Sequence, residues 1–187
     1  MRTARVLAVL VAASLCAGAL AQLRPANSVT PTKPFYFQCK ATKQGVLATE
    51  GPAPRWNGYQ VGLDLEWRAE SPVDRATGMA TGRTQFIPLQ ITRPVGPASP
   101  QFLAALATNE IFAEVLIQFP QDAAGAVWYE IKLQNARLTM VRQFVAPPPG
   151  DPNGTPILLE SIALRYQKIT VRHVTSNREA TADSSGL

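Results

Sequence analysis

A single histidine, His173, stands in this chain of 187 residues, and that scarcity removes most imidazole chemistry from consideration. One ring cannot build the clusters that hold zinc. His173 also lies in the alternating run Thr170-Val171-Arg172-His173-Val174, the setting of an ordinary strand histidine. Cysteine is almost as rare, with Cys16 and Cys39 alone. Cys16 falls in an N-terminal apolar run expected to be removed, so the remaining thiol has no internal partner and stability must come from packing. Cys39, inside Phe35-Tyr36-Phe37-Gln38-Cys39, reads as a buried strand position. Basic charge is mild at +5, with no Lys/Arg cluster to follow a phosphate backbone, so no nucleic-acid partner is expected. No Gly-x-Ser-x-Gly elbow, phosphate loop or dinucleotide fingerprint occurs. Asp64 and Glu66 share a strand face, as two cooperating acids would need, but that face is the outward one, where charge sits by default. The expectation is a protein without catalytic residues, metal or cofactor.

The first residues read as a targeting segment rather than as fold. Arg2 and Arg5 give a basic start, Val6 to Leu20 is apolar, and Ala19-Leu20-Ala21 precedes Gln22. The small-x-small run ending at Ala21, before the bond to Gln22, suits a signal peptidase, and the apolar run is too short to span a bilayer comfortably. A signal peptide over 1–21 places the chain in the periplasm or outside the cell, with no stable membrane span. A cytoplasmic location would need a later start, and no methionine falls between Met1 and Met79. Residues 22–34, with Pro25, Pro31 and Pro34, read as an extended leader. Residues 175–187 carry no pattern and read as a disordered tail.

Between leader and tail, 35–174 reads as one mainly β domain. In Gln60 to Arg68 the residues Val61, Leu63, Leu65 and Trp67 alternate with polar or small ones, which puts the four on one face of a strand. Ile87, Leu89 and Ile91 form a second such set, with Pro88 marking an edge or a bulge; Val115, Ile117 and Phe119 form a third. Two later runs change parity. Tyr129, Ile131 and Leu133 are followed by Ala136, Leu138 and Met140, and Ile162, Leu164 and Tyr166 by Ile169 and Val171. A one-residue slip is what a β-bulge produces, and bulges let a sheet curl. The fold expected is a small antiparallel β-barrel or two-sheet sandwich. One short helix interrupts it, capped by Ser99, opened by Pro100, striped by Phe102, Leu103 and Leu106, and ending near Asn109. The connection Glu70 to Gly82 is long for a β-protein and holds few large apolar groups.

Four stretches, in order, resemble the Hcp (haemolysin-coregulated protein) family of type VI secretion. They are Gly82 to Arg93 (GRTQFIPLQITR), Ser99-Pro100-Gln101-Phe102-Leu103, Trp128 to Arg137 (WYEIKLQNAR) and Leu159 to Ile169 (LESIALRYQKI). The likeness runs over roughly Pro34 to Val174. Three departures are visible, the largest being the apparent signal peptide over 1–21, which tube subunits of this family normally lack. Phe86 stands where many members carry a histidine, and Gly96-Pro97-Ala98 where an acidic residue often precedes Ser-Pro. The resemblance implies a small barrel with one helix and six copies in a ring. It implies rings stacked into a tube that leaves with effector or spike proteins, and neither cofactor nor catalytic residue. It also implies that the long loop, with Glu70, Asp74, Arg75, Met79 and Arg83, contacts neighbouring subunits. An alternative reading is a secreted binding module for a glycan or envelope partner, using Trp56, Tyr59 and the same loop.

Overall fold

The computed structural model describes residues 34–51, 55–122 and 124–184. The expected signal segment with its Ala21-Gln22 bond and nearly all of the leader lie outside the described residues. Along the chain come β1 (Phe35–Ala41), β2 (Gly45–Val46), β3 (Gln60–Gly62), β4 (Asp64–Glu66), β5 (Ala69–Glu70), β6 (Gln85–Phe86) and β7 (Leu89–Pro94). Then follow α1 (Ser99–Ala107), β8 (Ile111–Pro120), β9 (Val127–Ala146), β10 (Ile157–Arg165), β11 (Lys168–His173) and β12 (Arg178–Asp183).

The main sheet runs β1-β8-β9-β10-β7-β4, and every pairing in it is antiparallel. Its two ends are joined by consecutive short strands: β3 pairs with the free edge of β1 (Tyr36 opposite Val61), and β4 pairs with β7 (Leu65 opposite Ile91). Only Leu63 separates the two, and its amide donates to the Thr92 carbonyl at 2.8 Å. The ladder itself is therefore not closed: its two ends are bridged by a relay, and no one strand is bonded along both edges. That relay corrects the reading of Gln60 to Arg68 as a single one-faced strand. Opposite Phe35 and Phe37 it is Gly62 and Gln60 that turn inward, and parity reverses before Leu65. Gly62 is dictated by the Phe35 ring, which lies 2.2 Å from where a β-carbon would stand.

The parity slip in β9 appears where the sequence places it. Ile131 and Leu133 are buried before Asn135, Ala136 and Leu138 after it. Asn135 takes the left-handed conformation (φ 51°), which a short polar side chain tolerates better than most. The slip between Tyr166 and Ile169 is instead a break between two strands. β10 lies along Arg137–Ala146 of β9 and β11 along Tyr129–Gln134, so β9 changes partner at its own kink.

The interior is built from Phe35, Phe37 and Cys39 of β1, Leu89 and Ile91 of β7, Val115 and Ile117 of β8, and Ile162 and Leu164 of β10, with Phe102 and Ala105 of α1 beneath them. Burial pushes the Cys39 thiol up to about 12, which keeps it protonated and inert. Helix α1 departs from expectation in two ways. Ser99 is its first helical residue, and Ala98 occupies the cap position without a side-chain bond. Leu103 points outward, leaving Phe102 and Ala105 to face the core. The segment expected to be a disordered tail carries β12, laid along β11 from His173 opposite Arg178 to Lys168 opposite Asp183. Backbone pairing and a Thr170–Thr181 hydroxyl contact at 3.0 Å hold it, and neither leaves a hydrophobic pattern.

Two polar groups organise the interior edges. Glu110 accepts from the Lys43 amide (2.6 Å), the Gln44 amide (2.9 Å) and Gln44 Nε2 (2.9 Å), tying the turn after β1 to the end of α1. Burial raises this carboxyl, but the Gln44 and Lys43 donors outweigh it and leave the pKa below the ordinary value. A depressed folded-state pKa stabilises above the unfolded value, and the benefit is lost as pH falls through the folded one. Glu110→Gln is thus expected to cost about 1 kcal/mol at pH 7 in urea titration. The gap between variant and parent should close at a pH well below about 4. A gap that persists undiminished in acid would refute the assignment.

The second group is Arg93, wholly buried on β7. Its guanidinium pairs with Glu50 and with Glu160 (Nη1 to Oε1, 3.5 Å), and sits over the Phe102 ring at 5.4 Å. Glu160 also accepts from Ser99 Oγ (3.1 Å) and Gln143 Nε2 (3.1 Å), and Ser99 Oγ accepts the Gly96 amide (3.1 Å). Residues from β7, β9, β10, α1 and the loop after β2 thus join in one network around the Arg93–Glu160 pair.

Candidate assembly site

The residues singled out on the long connection are carried by a projecting hairpin. Its base is fixed to the barrel: Trp67 Nε1 donates to Tyr166 Oη at 2.6 Å, the Ile87 amide donates to the Arg68 carbonyl at 3.1 Å, and the Phe86 ring meets Tyr166 edge-on. Above the base β5 pairs with β6, Ala69 opposite Phe86 and Glu70 opposite Gln85. The two chains stay together beyond these strands, through the Thr81 amide to the Pro72 carbonyl (2.9 Å), a bridge between Val73 and Ala80, and the Asp74 amide to the Met79 carbonyl (2.9 Å).

The tip is a structured turn. Asp74 Oδ1 accepts from the Ala76 and Thr77 amides, both at 2.8 Å, and from Thr77 Oγ1 at 3.1 Å. Gly78 supplies the left-handed step (φ 69°) and returns its amide to the Asp74 carbonyl. The Thr77 and Ala76 amides, with the Thr77 hydroxyl, hold the Asp74 carboxyl below the usual range. What reads as a featureless loop is therefore an ordered arm. The signal that marks it is Asp74 four residues before Gly78, a turn chemistry with no hydrophobic component.

All five expected contact residues lie on this arm, spread along it and not gathered to a point. Glu70 is on the shaft, ion-paired with Arg68 Nε at 3.0 Å. Asp74 and Arg75 are at the tip, Met79 and Arg83 on the returning strand; Asp74 is half-buried by its own turn and the other three are exposed. Sequence reasoning passed over Val73, which is 57 % exposed beside Met79 at 70 %. These two apolar side chains pack against nothing in their own core.

Elsewhere the geometry offers packing in place of chemistry. Asp64 and Glu66 are exposed on β4. His173 sits edge-on to Trp128 (5.8 Å) and accepts from Ser176. Trp56 is only 8 % exposed, its face stacked on Tyr36 (4.2 Å) and its edge on Tyr59 (5.4 Å). A sugar would need that covered face, so the platform suggested for Trp56 and Tyr59 is a packing cluster. Among the described residues no group of three or more His, Cys, Asp or Glu is placed to hold a metal, and no helix is long and apolar enough to cross a membrane.

Known proteins share this architecture. A crystal structure of an Hcp protein superposes with a TM-score of 0.71 at 16% identity, covering 81% of this chain and 99% of that one. Hcp1 of Escherichia coli EAEC 042 gives 0.68 at 18% identity, with 81% and 99% covered, and the secreted protein Hcp3 of Pseudomonas aeruginosa 0.64 at 22%, with 80% and 98%. The "Major exported protein" of Pseudomonas aeruginosa PAO1 is 28% identical over 166 residues, spanning 80% of this chain and 94% of the relative. Residues 61–173 match the family model described as "Type VI secretion system effector, Hcp", and the chain belongs to that Hcp family.

Proposed function

We propose that this type VI secretion protein is a structural subunit, that six copies close into a ring, and that rings stack into a tube. The observation that carries the reading is the arm from Ala69 to Phe86. It is ordered to its tip, anchored at its base, and exposes Val73 and Met79 without burying them on its own domain. An ordered arm with apolar side chains and nothing of its own to cover suits a contact with a neighbouring copy. The barrel supports the same reading, since Leu103 of α1 and Val145 and Leu158 of the β9–β10 hairpin are exposed apolar residues on the body. Effector or spike proteins are the further partners, and the chemistry of the subunit is non-catalytic.

Export completes the proposal. The basic start, apolar run and small residues before Gln22 route the chain out of the cytoplasm, in keeping with an exported relative. Light scattering on purified processed protein should give a mass six times that of the chain, with annular particles in negative stain. A strict monomer at high concentration would remove the ring from the proposal, and an intact Met1 end in exported protein would remove the signal peptide.

A further inference from the structure

Next to the base of the arm lies a cavity of about 350 Å³ that the assembly reading does not use. Arg137 of β9 and Arg165 of β10 line it and stand directly opposite each other across the ladder, so both side chains leave the same face. Like charges in that relation repel, and no ion pair to either is formed among the described residues. The rest of the lining contains no carboxylate. Instead it offers donors. Gln167 has its carbonyl oxygen occupied by Asn135 Nδ2 (3.1 Å), leaving its own amide N–H groups available. Tyr166 Oη accepts from Trp67, leaving its own O–H to give. Burial raises the Tyr166 pKa, which keeps that proton in place. Phe86, Pro88 and Leu138 supply an apolar wall.

We infer that this cavity binds an organic carboxylate, its two oxygens taken by Arg137 and Arg165 and its apolar body laid against Phe86 and Pro88. The volume falls in the range of small-molecule sites, and paired guanidinium forks match a carboxylate's geometry. A bound anion removes the repulsion between the two cations, which explains why a like-charged pair is tolerated at directly opposed positions. The inference is independent of ring formation, since every group it uses belongs to one subunit.

Isothermal titration at low ionic strength, with phenylacetate as probe and inorganic phosphate as comparison, tests it on the purified protein. Phenylacetate should bind saturably. Arg137→Gln and Arg165→Gln, both surface changes, should each weaken it about tenfold or more, and R178Q on β12 should leave it unchanged. Melting temperatures of the variants without probe establish that they fold. Absence of saturable phenylacetate binding, or binding indifferent to R137Q and R165Q, would overturn the site. Phosphate binding as tightly as phenylacetate would overturn the assignment to an organic carboxylate.

Discussion

Arg93→Ala is expected to destabilise the domain by about 3–5 kcal/mol, because it strands Glu160 as an uncompensated buried charge. In a domain of this size that lowers the melting temperature by roughly 10 °C. Arg93 and Glu160 are both fully buried, and among the described residues no other cation is paired with Glu160. Ser99 and Gln143 supply two donors to that carboxylate, which soften the loss without cancelling the charge. Glu50 suffers less, since a quarter of its side chain reaches solvent and can rehydrate. The comparison that isolates the cause is Arg93→Met with Glu160→Met, which removes both ions and refills the volume. Buried pairs replaced by apolar groups are often neutral or stabilising, so the double variant should recover most of the loss. A cost under about 1 kcal/mol for R93A, or a double variant worse than the single one, would show that the network is not held by charge pairing. The neighbouring Gly96 belongs to the same unit, because a β-carbon there would overlap the Glu50 carboxylate, 1.9 Å from one of its oxygens.

This network also shows where the sequence stops being informative. The strands of the barrel wall were legible because burial imposes a period of two, and Leu89–Ile91, Val115–Ile117 and Ile131–Leu133 display it without interruption. The kink at Asn135 was legible for the same reason, as an added residue shifts the parity of everything after it. Arg93 sits in phase with Leu89 and Ile91, yet a charged residue on an apolar face gives no hint of partners at Glu50 and Glu160. Gln60 and Gly62 misled in the other direction. They look polar and small, hence outward, whereas the inward turn is imposed by Phe35 and Phe37 on a strand far away in sequence. Strands β5, β6 and β12, which rely mainly on backbone pairing with few side-chain contacts, leave no side-chain period. Their positions depend on partners that only the folded chain brings together. The candidate contact residues were found as a group because the loop's length stood out, but its shape as a hairpin rests on the Asp74 turn.

That shape makes a sharper experiment possible than removing the loop outright. Glu70 opposes Gln85 on the arm's shaft, so residues 71–84 can be replaced by Asn-Gly, a two-residue turn that suits a hairpin closing on that pair. The bonds that fix the base, from Trp67 to Tyr166 and from Ile87 to Arg68, remain in place. Because the excised segment buries almost nothing on its own domain, the subunit's unfolding free energy should change by less than about 1 kcal/mol. Self-association should instead weaken by about a hundredfold or more, the size expected when two well-packed interface contacts are lost together. Met79→Asp with Val73→Asp keeps the arm's length and its Asp74 turn while placing charge where apolar contact is required, and should reproduce much of that loss. Sedimentation and chemical denaturation on the same samples separate the two quantities. Rings of unchanged size and affinity from the shortened protein would mean that the arm does not join subunits. A large loss of stability would mean that it packs against its own barrel after all. If association weakens while folding is unaffected, the arm is neither core nor linker: its backbone order is local, and the burial of Val73 and Met79 is supplied by another copy.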